Sequence, residues 1–151
     1  AATFKKFGAD GMVDVTGDEL FGGRKVVLFA VPGAFTPTCH EQHLPGFVQH
    51  AEELAAKGVD EIVCVAVNDP FVMRAWEEQS GVGDKIKLLS DGNADFTRAI
   101  GMDVPLTGPF LGLRSKRYAM VVENGVVKDL MVEDNPGAVA VSGAEQILEK
   151  L

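Results

Sequence analysis

Two unbroken apolar runs constrain this chain more than any other feature: Val26–Val31 (VVLFAV) and Ile62–Val67 (IVCVAV). Runs that do not alternate are expected of strands covered on both faces, so both segments predict the middle of a sheet with helices on either side. Between them, Leu44, Phe47, Val48, Ala51, Leu54 and Ala55 recur at the i, i+3, i+4 spacing of one helical face. Gly58 is the expected end of that helix, and Pro45, lying inside it, is expected to bend it.

Downstream, Asp69-Pro70 reads as a helix start, with Asp as the cap and Pro at the first position, and the helix runs to about Ser80 with Val72 and Trp76 on one face. Ile86–Leu89 reads as a short strand, followed by Asp91-Gly92 and a brief helix around Ala94–Ile100. Tyr118–Val122 and Val126–Val132 flank Glu123-Asn124-Gly125, and Asn-Gly is a strong signal for a hairpin turn. Ser142-Gly143-Ala144-Glu145 has the spacing of a capping box opening a last helix. Met102–Leu113 shows no period and is expected to be a loop near a site or an interface. Strand–helix alternation followed by a hairpin and a helix predicts an α/β fold of thioredoxin type, a central mixed β-sheet flanked by helices. No repeat or linker divides the sequence, so residues 1–151 are expected to form a single domain.

Charge narrows the function classes. Lys plus Arg total 14 and Asp plus Glu total 22, a formal charge of −8 that disfavours a nucleic-acid partner. No apolar run approaches the roughly 20 residues a membrane helix needs. Cys39 and Cys64 are the two cysteines, too few for a disulfide framework, and with three scattered histidines they make a poor zinc site. A reducing, intracellular home follows as the expectation. Ala1 in place of a methionine leads us to expect a processed or trimmed chain from which a targeting peptide has been removed.

The chemistry is expected where the first apolar run stops. Pro32 ends it, Thr36, Pro37 and Thr38 form a turn, and a helical pattern begins at about Cys39. A cysteine there faces the unpaired N–H groups and the positive end of a helix, a setting that favours S⁻ over SH. Thr36 can turn its hydroxyl toward the same place or simply cap the helix. Pro32 and Pro37 are either loop punctuation or a shield that keeps water from the sulfur. Of Arg114, Lys116 and Arg117, one near Cys39 would stabilise a thiolate and hold a polar substrate, while a solvated charge cluster is the plain alternative. His40 and His43 are candidates for a base, although histidines in a first helical turn more often brace it. Cys64, flanked by valines in an apolar strand, reads as core filling.

The same residues resemble the peroxiredoxin active-site pattern, Pro32-x-x-x-Thr36-x-x-Cys39. VPGAFTPTC, HLPGF (His43–Phe47), VNDPFVM (Val67–Met73), LLSDGNADFT (Leu88–Thr97) and RSKRYAMVVENGVVK (Arg114–Lys128) resemble the type II branch in the same order, from about Val26 to Leu151. The resemblance implies a thiol-dependent peroxidase acting on hydrogen peroxide and alkyl hydroperoxides. It makes Cys39 the peroxidatic cysteine, Thr36 the hydroxyl that bonds the peroxide, Arg117 the active-site arginine and Pro32 the shielding proline. The backbone N–H groups of Thr38 and Cys39 become donors to the peroxide oxygens, and His43 a brace. It implies no metal, haem or flavin cofactor.

Some type II relatives carry a resolving cysteine before the last helix, but here Glu133–Ser142 contains none. Cys64 matches a second cysteine of plant-like members and is the intrachain candidate for a resolving role. Regeneration by an external thiol is the favoured expectation, glutathione with glutaredoxin first and thioredoxin second. The resemblance further implies a homodimer built around the Cys39 side, and a home in the cytoplasm or, after transit-peptide removal, in a plastid or mitochondrion. A dithiol oxidoreductase would need a second cysteine at position 42, which is Gln42. A Cys/His hydrolase would need a third, orienting group that the sequence does not reveal. A peroxide sensor passing oxidation to a partner thiol is the alternative that uses the same chemistry.

Overall fold

The computed structural model describes residues 2–151. Its strands are β1 (Thr3–Gly8), β2 (Gly11–Thr16), β3 (Lys25–Val31), β4 (Glu61–Ala66), β5 (Lys87–Ser90), β6 (Asp103–Leu106), β7 (Gly112–Ser115), β8 (Tyr118–Glu123) and β9 (Val126–Val132). The α-helices are α1 (Gly17–Phe21), α2 (Leu44–Gln49), α3 (Ala51–Ala56), α4 (Pro70–Ser80), α5 (Asp95–Ala99) and α6 (Ala144–Lys150), and a π-helical segment, Cys39–His43, precedes α2.

Seven strands form one mixed sheet in the order β2-β1-β5-β4-β3-β8-β9. The two apolar runs lie at its centre as parallel neighbours, β4 pairing with β3 on one side and β5 on the other, while β8 runs antiparallel to β3. Both faces of β3 are covered because its side chains alternate between two cores. Val27, Phe29 and Val31 join Phe47, Leu54, Trp76 and Ile147 from α2, α3, α4 and α6. Val26, Leu28 and Ala30 join Phe4, Leu20 and Tyr118 on the opposite face. Unbroken hydrophobicity therefore meant two-sided burial, and the mixed thioredoxin-like sheet is present. Among the described residues no helix is long and apolar enough to cross a membrane.

The Asp69 carboxylate accepts from Val72 N at 2.9 Å and starts α4 as expected. The Asn124-Gly125 turn forms with φ of 47° and 79°, the left-handed pair such a hairpin requires.

Three expectations need correction. Met102–Leu113 is no loop, since β6 and β7 pair in antiparallel register from Asp103↔Ser115 to Leu106↔Gly112. Strands of four residues carrying Pro105 and half-buried on one side are too short to show a period. At Pro45 the helix after Cys39 is widened rather than broken. Helical backbone is already present at Pro37 and Thr38, and the turn Cys39–His43 is widened, Leu44 N–H reaching back to Cys39 O. That widening comes just before a proline that lacks an N–H and whose ring crowds the carbonyl four residues back, so Pro45 sits unstrained near the start of α2. The break falls instead at His50 (φ −101°, ψ 10°), between α2 and α3. The capping box does not form either. Gly143 is the N-cap of α6, and the Ser142 hydroxyl turns away to bond the Glu133 carboxylate at 2.6 Å.

Candidate active site

Cys39 lies in the first turns of helix after β3, and its residue is 0% exposed. The first helical hydrogen bond is His40 N–H to Thr36 O, 2.8 Å. The amides of Thr38 and Cys39 stand ahead of it, in the turn whose donors have no partner within the helix. The Thr36 hydroxyl does not cap that helix. It donates to Gly33 O at 2.7 Å, which commits its proton and leaves its oxygen lone pairs to accept. Pro32 is buried, and its carbonyl accepts from Arg114 Nη1 at 3.2 Å. Arg114 also donates through Nε to Leu111 O at 2.8 Å, so it ties the β6–β7 turn to the loop above the sulfur.

The charge cluster before β8 resolves into distinct roles. Arg117, 2% exposed, donates through Nη2 to Cys39 Sγ at 2.9 Å. Its other two nitrogens are also engaged, Nε with Pro136 O and Nη1 with His43 Nδ1, both at 2.8 Å. A cation buried this completely is tolerated because each of its nitrogens has an acceptor, and a hydrogen bond from a cation is strongest when the acceptor is an anion. Lys116 is exposed and takes no part.

Neither histidine is placed as the base for Cys39. His43 Nε2 lies 2.8 Å from Ser142 O, and a carbonyl can only accept, so Nε2 carries the proton and Nδ1 is the bare acceptor facing Arg117. Burial, with Arg117 adding to it and the Ser142 carbonyl opposing, brings the His43 pKa down to about 3. The ring is neutral, and it packs against Phe29 and Phe47 at centroid distances of 4.8 and 5.6 Å. His40 Nδ1 accepts from Trp76 Nε1 at 3.0 Å and braces the same turn against α4.

Cys64 sits in β4 on the same side of the sheet as Cys39, opposite Phe29 in the register, and is fully buried. Burial pushes its thiol pKa well above the ordinary value. The two cysteines are both free. An apolar cavity lined by Phe21, Phe96, Met102, Met120 and Leu130 lies against the other core and is not part of this constellation. Among the described residues no group of three or more His, Cys, Asp or Glu is placed to hold a metal ion.

Sequence reasoning did not foresee the segment Glu133–Ser142. It supplies Pro136 O to Arg117, Ser142 O to His43 and Gly137 O to the Thr38 hydroxyl at 2.8 Å. The acceptors are backbone carbonyls, and no residue type announces those.

The pattern of the redoxin family matches residues 2–148. The chain is 56% identical over 147 residues to peroxiredoxin-2E-2, chloroplastic, of Oryza sativa subsp. japonica, covering 95% of this chain and 65% of that protein. It is 50% identical over 139 residues to peroxiredoxin-2E, chloroplastic, of Arabidopsis thaliana, covering 91% of this chain and 59% of that one. It therefore spans less than two thirds of the length of these two relatives. The crystal structure of reduced Prx3 in complex with H2O2 from Vibrio vulnificus superposes with a TM-score of 0.93 at 53% identity, covering 99% of this chain and 92% of that one.

Proposed function

This chain belongs to the redoxin family and, within it, to the type II peroxiredoxins, and from that premise we propose that it is a thiol-dependent peroxidase with Cys39 as its nucleophile. The observation that carries the reading is the 2.9 Å bond from the buried Arg117 guanidinium to Cys39 Sγ. The reading takes residues 1–151 as one catalytic domain.

In the proposed reaction the Cys39 thiolate attacks one oxygen of hydrogen peroxide or an alkyl hydroperoxide. An S–O bond forms as the O–O bond breaks, the peroxide takes two electrons from sulfur, and the departing oxygen is protonated and leaves as water or alcohol. Arg117 and the Thr38 and Cys39 amides offer donors to the charge growing on that oxygen. The Thr36 oxygen, its own proton held by Gly33 O, accepts from the peroxide O–H. Pro32, buried just past the end of β3, is assigned the role of keeping bulk water from the sulfur. Cys39 becomes a sulfenic acid, the reversible first rung of thiol oxidation.

An external thiol then condenses with the sulfenic acid, releasing water, and a second thiol reduces the mixed disulfide. Glutathione with glutaredoxin is the favoured donor and thioredoxin the second. Two features support an external donor: Glu133–Ser142 contains no cysteine, and Cys64 lies in a strand paired on both sides. Cys64 is accordingly placed outside the cycle. A bulky thiol reaches Cys39 only if the turn Cys39–His43 opens, and a π-helical turn is a weak one to open. A homodimer around the Cys39 side is supported by the β6–β7 hairpin, which Arg114 fastens to the Pro32 loop and which holds Phe110 95% exposed at its turn. The chloroplastic names of the two plant relatives favour a plastid among the intracellular compartments.

The test is peroxide consumption with glutathione and glutaredoxin by wild type, Cys39→Ser and Cys64→Ser. Loss in Cys39→Ser alone fits the reading. Full turnover by Cys39→Ser ends it, and loss in a folded Cys64→Ser shows an intrachain step instead.

A further inference from the structure

Arg117 is held at both ends by one residue. Glu133 N–H donates to Arg117 O at 3.0 Å, fixing the backbone where β8 begins. The Glu133 side chain, in a residue 7% exposed, gathers the chain seven to nine residues later. Its Oε2 accepts from Ala140 N at 2.9 Å, Val141 N at 2.8 Å, Ser142 N at 2.7 Å and Ser142 Oγ at 2.6 Å. Four donors converging on one carboxylate oxygen give that segment a single conformation, with the Ser142 carbonyl turned to the His43 ring. His43 in turn presents its bare nitrogen to Arg117 Nη1. Asn135 Oδ1 accepts from Gly137 N at 2.9 Å and closes the turn whose Pro136 carbonyl takes Arg117 Nε.

We propose that Glu133 is a positioning residue for the peroxidase reaction: its carboxylate aims Arg117 at Cys39 through Ser142 and His43. This rests on the reading of Cys39 and Arg117 given above. An amide at residue 133 can put its oxygen where Oε2 lies but lacks the negative charge that strengthens all four of these bonds. Ser142 would then be held more weakly, its carbonyl would bind His43 less firmly, and Arg117 would lose part of the orientation that puts Nη2 on the sulfur.

The test compares wild type, Glu133→Gln and Ser142→Ala by two rates at one pH, Cys39 with hydrogen peroxide and Cys39 with iodoacetamide. Displacing iodide needs no aimed donors, whereas breaking the O–O bond does. A general loosening slows or speeds both alike, so the ratio of the rates isolates positioning. In folded Glu133→Gln the peroxide-to-iodoacetamide ratio is expected to fall on the order of tenfold, and in Ser142→Ala, which removes one donor of four, about twofold. The His43 Nε2–H resonance, protected from exchange with water by the Ser142 carbonyl in wild type, is expected to exchange faster in Glu133→Gln as the ring loses that partner. An unchanged ratio in folded Glu133→Gln overturns the proposal. Should that variant fail to fold, an unchanged ratio in Ser142→Ala overturns it. Wild-type Cys39 that is inert to peroxide would end the peroxidase reading, while the His43 resonances would still report whether Glu133 holds the ring.

Discussion

His43 meets Arg117 with its unprotonated nitrogen, Nδ1 to Nη1 at 2.8 Å, because its other nitrogen carries the ring proton and donates it in a hydrogen bond to Ser142 O. A histidine four residues after the cysteine thus serves as an acceptor for a cation, and it can do so only while neutral.

That neutrality makes stability depend on acid. Unfolded, His43 takes up a proton near 6.5, whereas in the fold burial delays this to about 3. Between those values the unfolded chain binds more protons, so stability falls as pH falls, with a slope approaching about 1.4 kcal/mol per pH unit. Glu133 acts lower down. Burial raises its pKa, but the Ser142 hydroxyl and the three amides outweigh that and bring it below 4.5, so its contribution is lost as pH drops beneath that value. Urea unfolding from pH 7 to 4 is expected to show the His43 slope first, and His43→Gln to flatten it between 6.5 and 4.5.

Thr36→Ser keeps an oxygen that can donate to Gly33 O and accept from peroxide, whereas Thr36→Val keeps only the shape. Stopped-flow oxidation of Cys39 is expected to be near wild type in the first and slower by about 100-fold in the second.

Cys64 is sealed between β3 and β5 with its thiol held protonated by burial. Mass spectrometry after alkylation of the native protein is expected to find the label on Cys39 alone. A second label at Cys64 should appear only after unfolding.

Trp76 is the sole tryptophan, fully buried, and its indole bonds His40 in the turn next to Cys39. If that turn opens when Cys39 becomes a mixed disulfide, the Trp76–His40 bond breaks and the indole emission changes. The change is expected in wild type and Cys64→Ser, and a Cys39→Ser protein should show none.

Phe110 combines 95% exposure with a left-handed φ of 60°, a backbone state that costs a side-chain-bearing residue about 1 kcal/mol or more. A residue kept there on its own account would be glycine. Phe110→Gly is expected to leave the unfolding midpoint of the monomer unchanged or raised while shifting sedimentation from dimer to monomer. A wild type that sediments as a monomer would remove the dimer from the reading.

The division between sequence and structure follows the range of the forces involved. Val26–Val31, Ile62–Val67 and the helical spacing from Leu44 to Ala55 report burial, a local pattern that survives in one dimension, and the central sheet followed from them. The Pro32–Cys39 turn was legible because capping and proline chemistry act over a few residues. Asp103–Leu106 and Gly112–Ser115 were not, since each pairs only with the other and buries half a face. Ser142 shows how local logic fails: its spacing to Glu145 promised a cap, and the buried Glu133 carboxylate claimed the hydroxyl instead. Likewise three basic residues before β8 looked alike in sequence. Only the fold carried Arg117 across 78 positions to Cys39, and only backbone carbonyls with no side-chain signature held it there. By itself the sequence singled out Cys39 as the candidate nucleophile. Which cation would meet it, and in what orientation, was decided by tertiary packing, because a buried guanidinium is stable only where its nitrogens find acceptors.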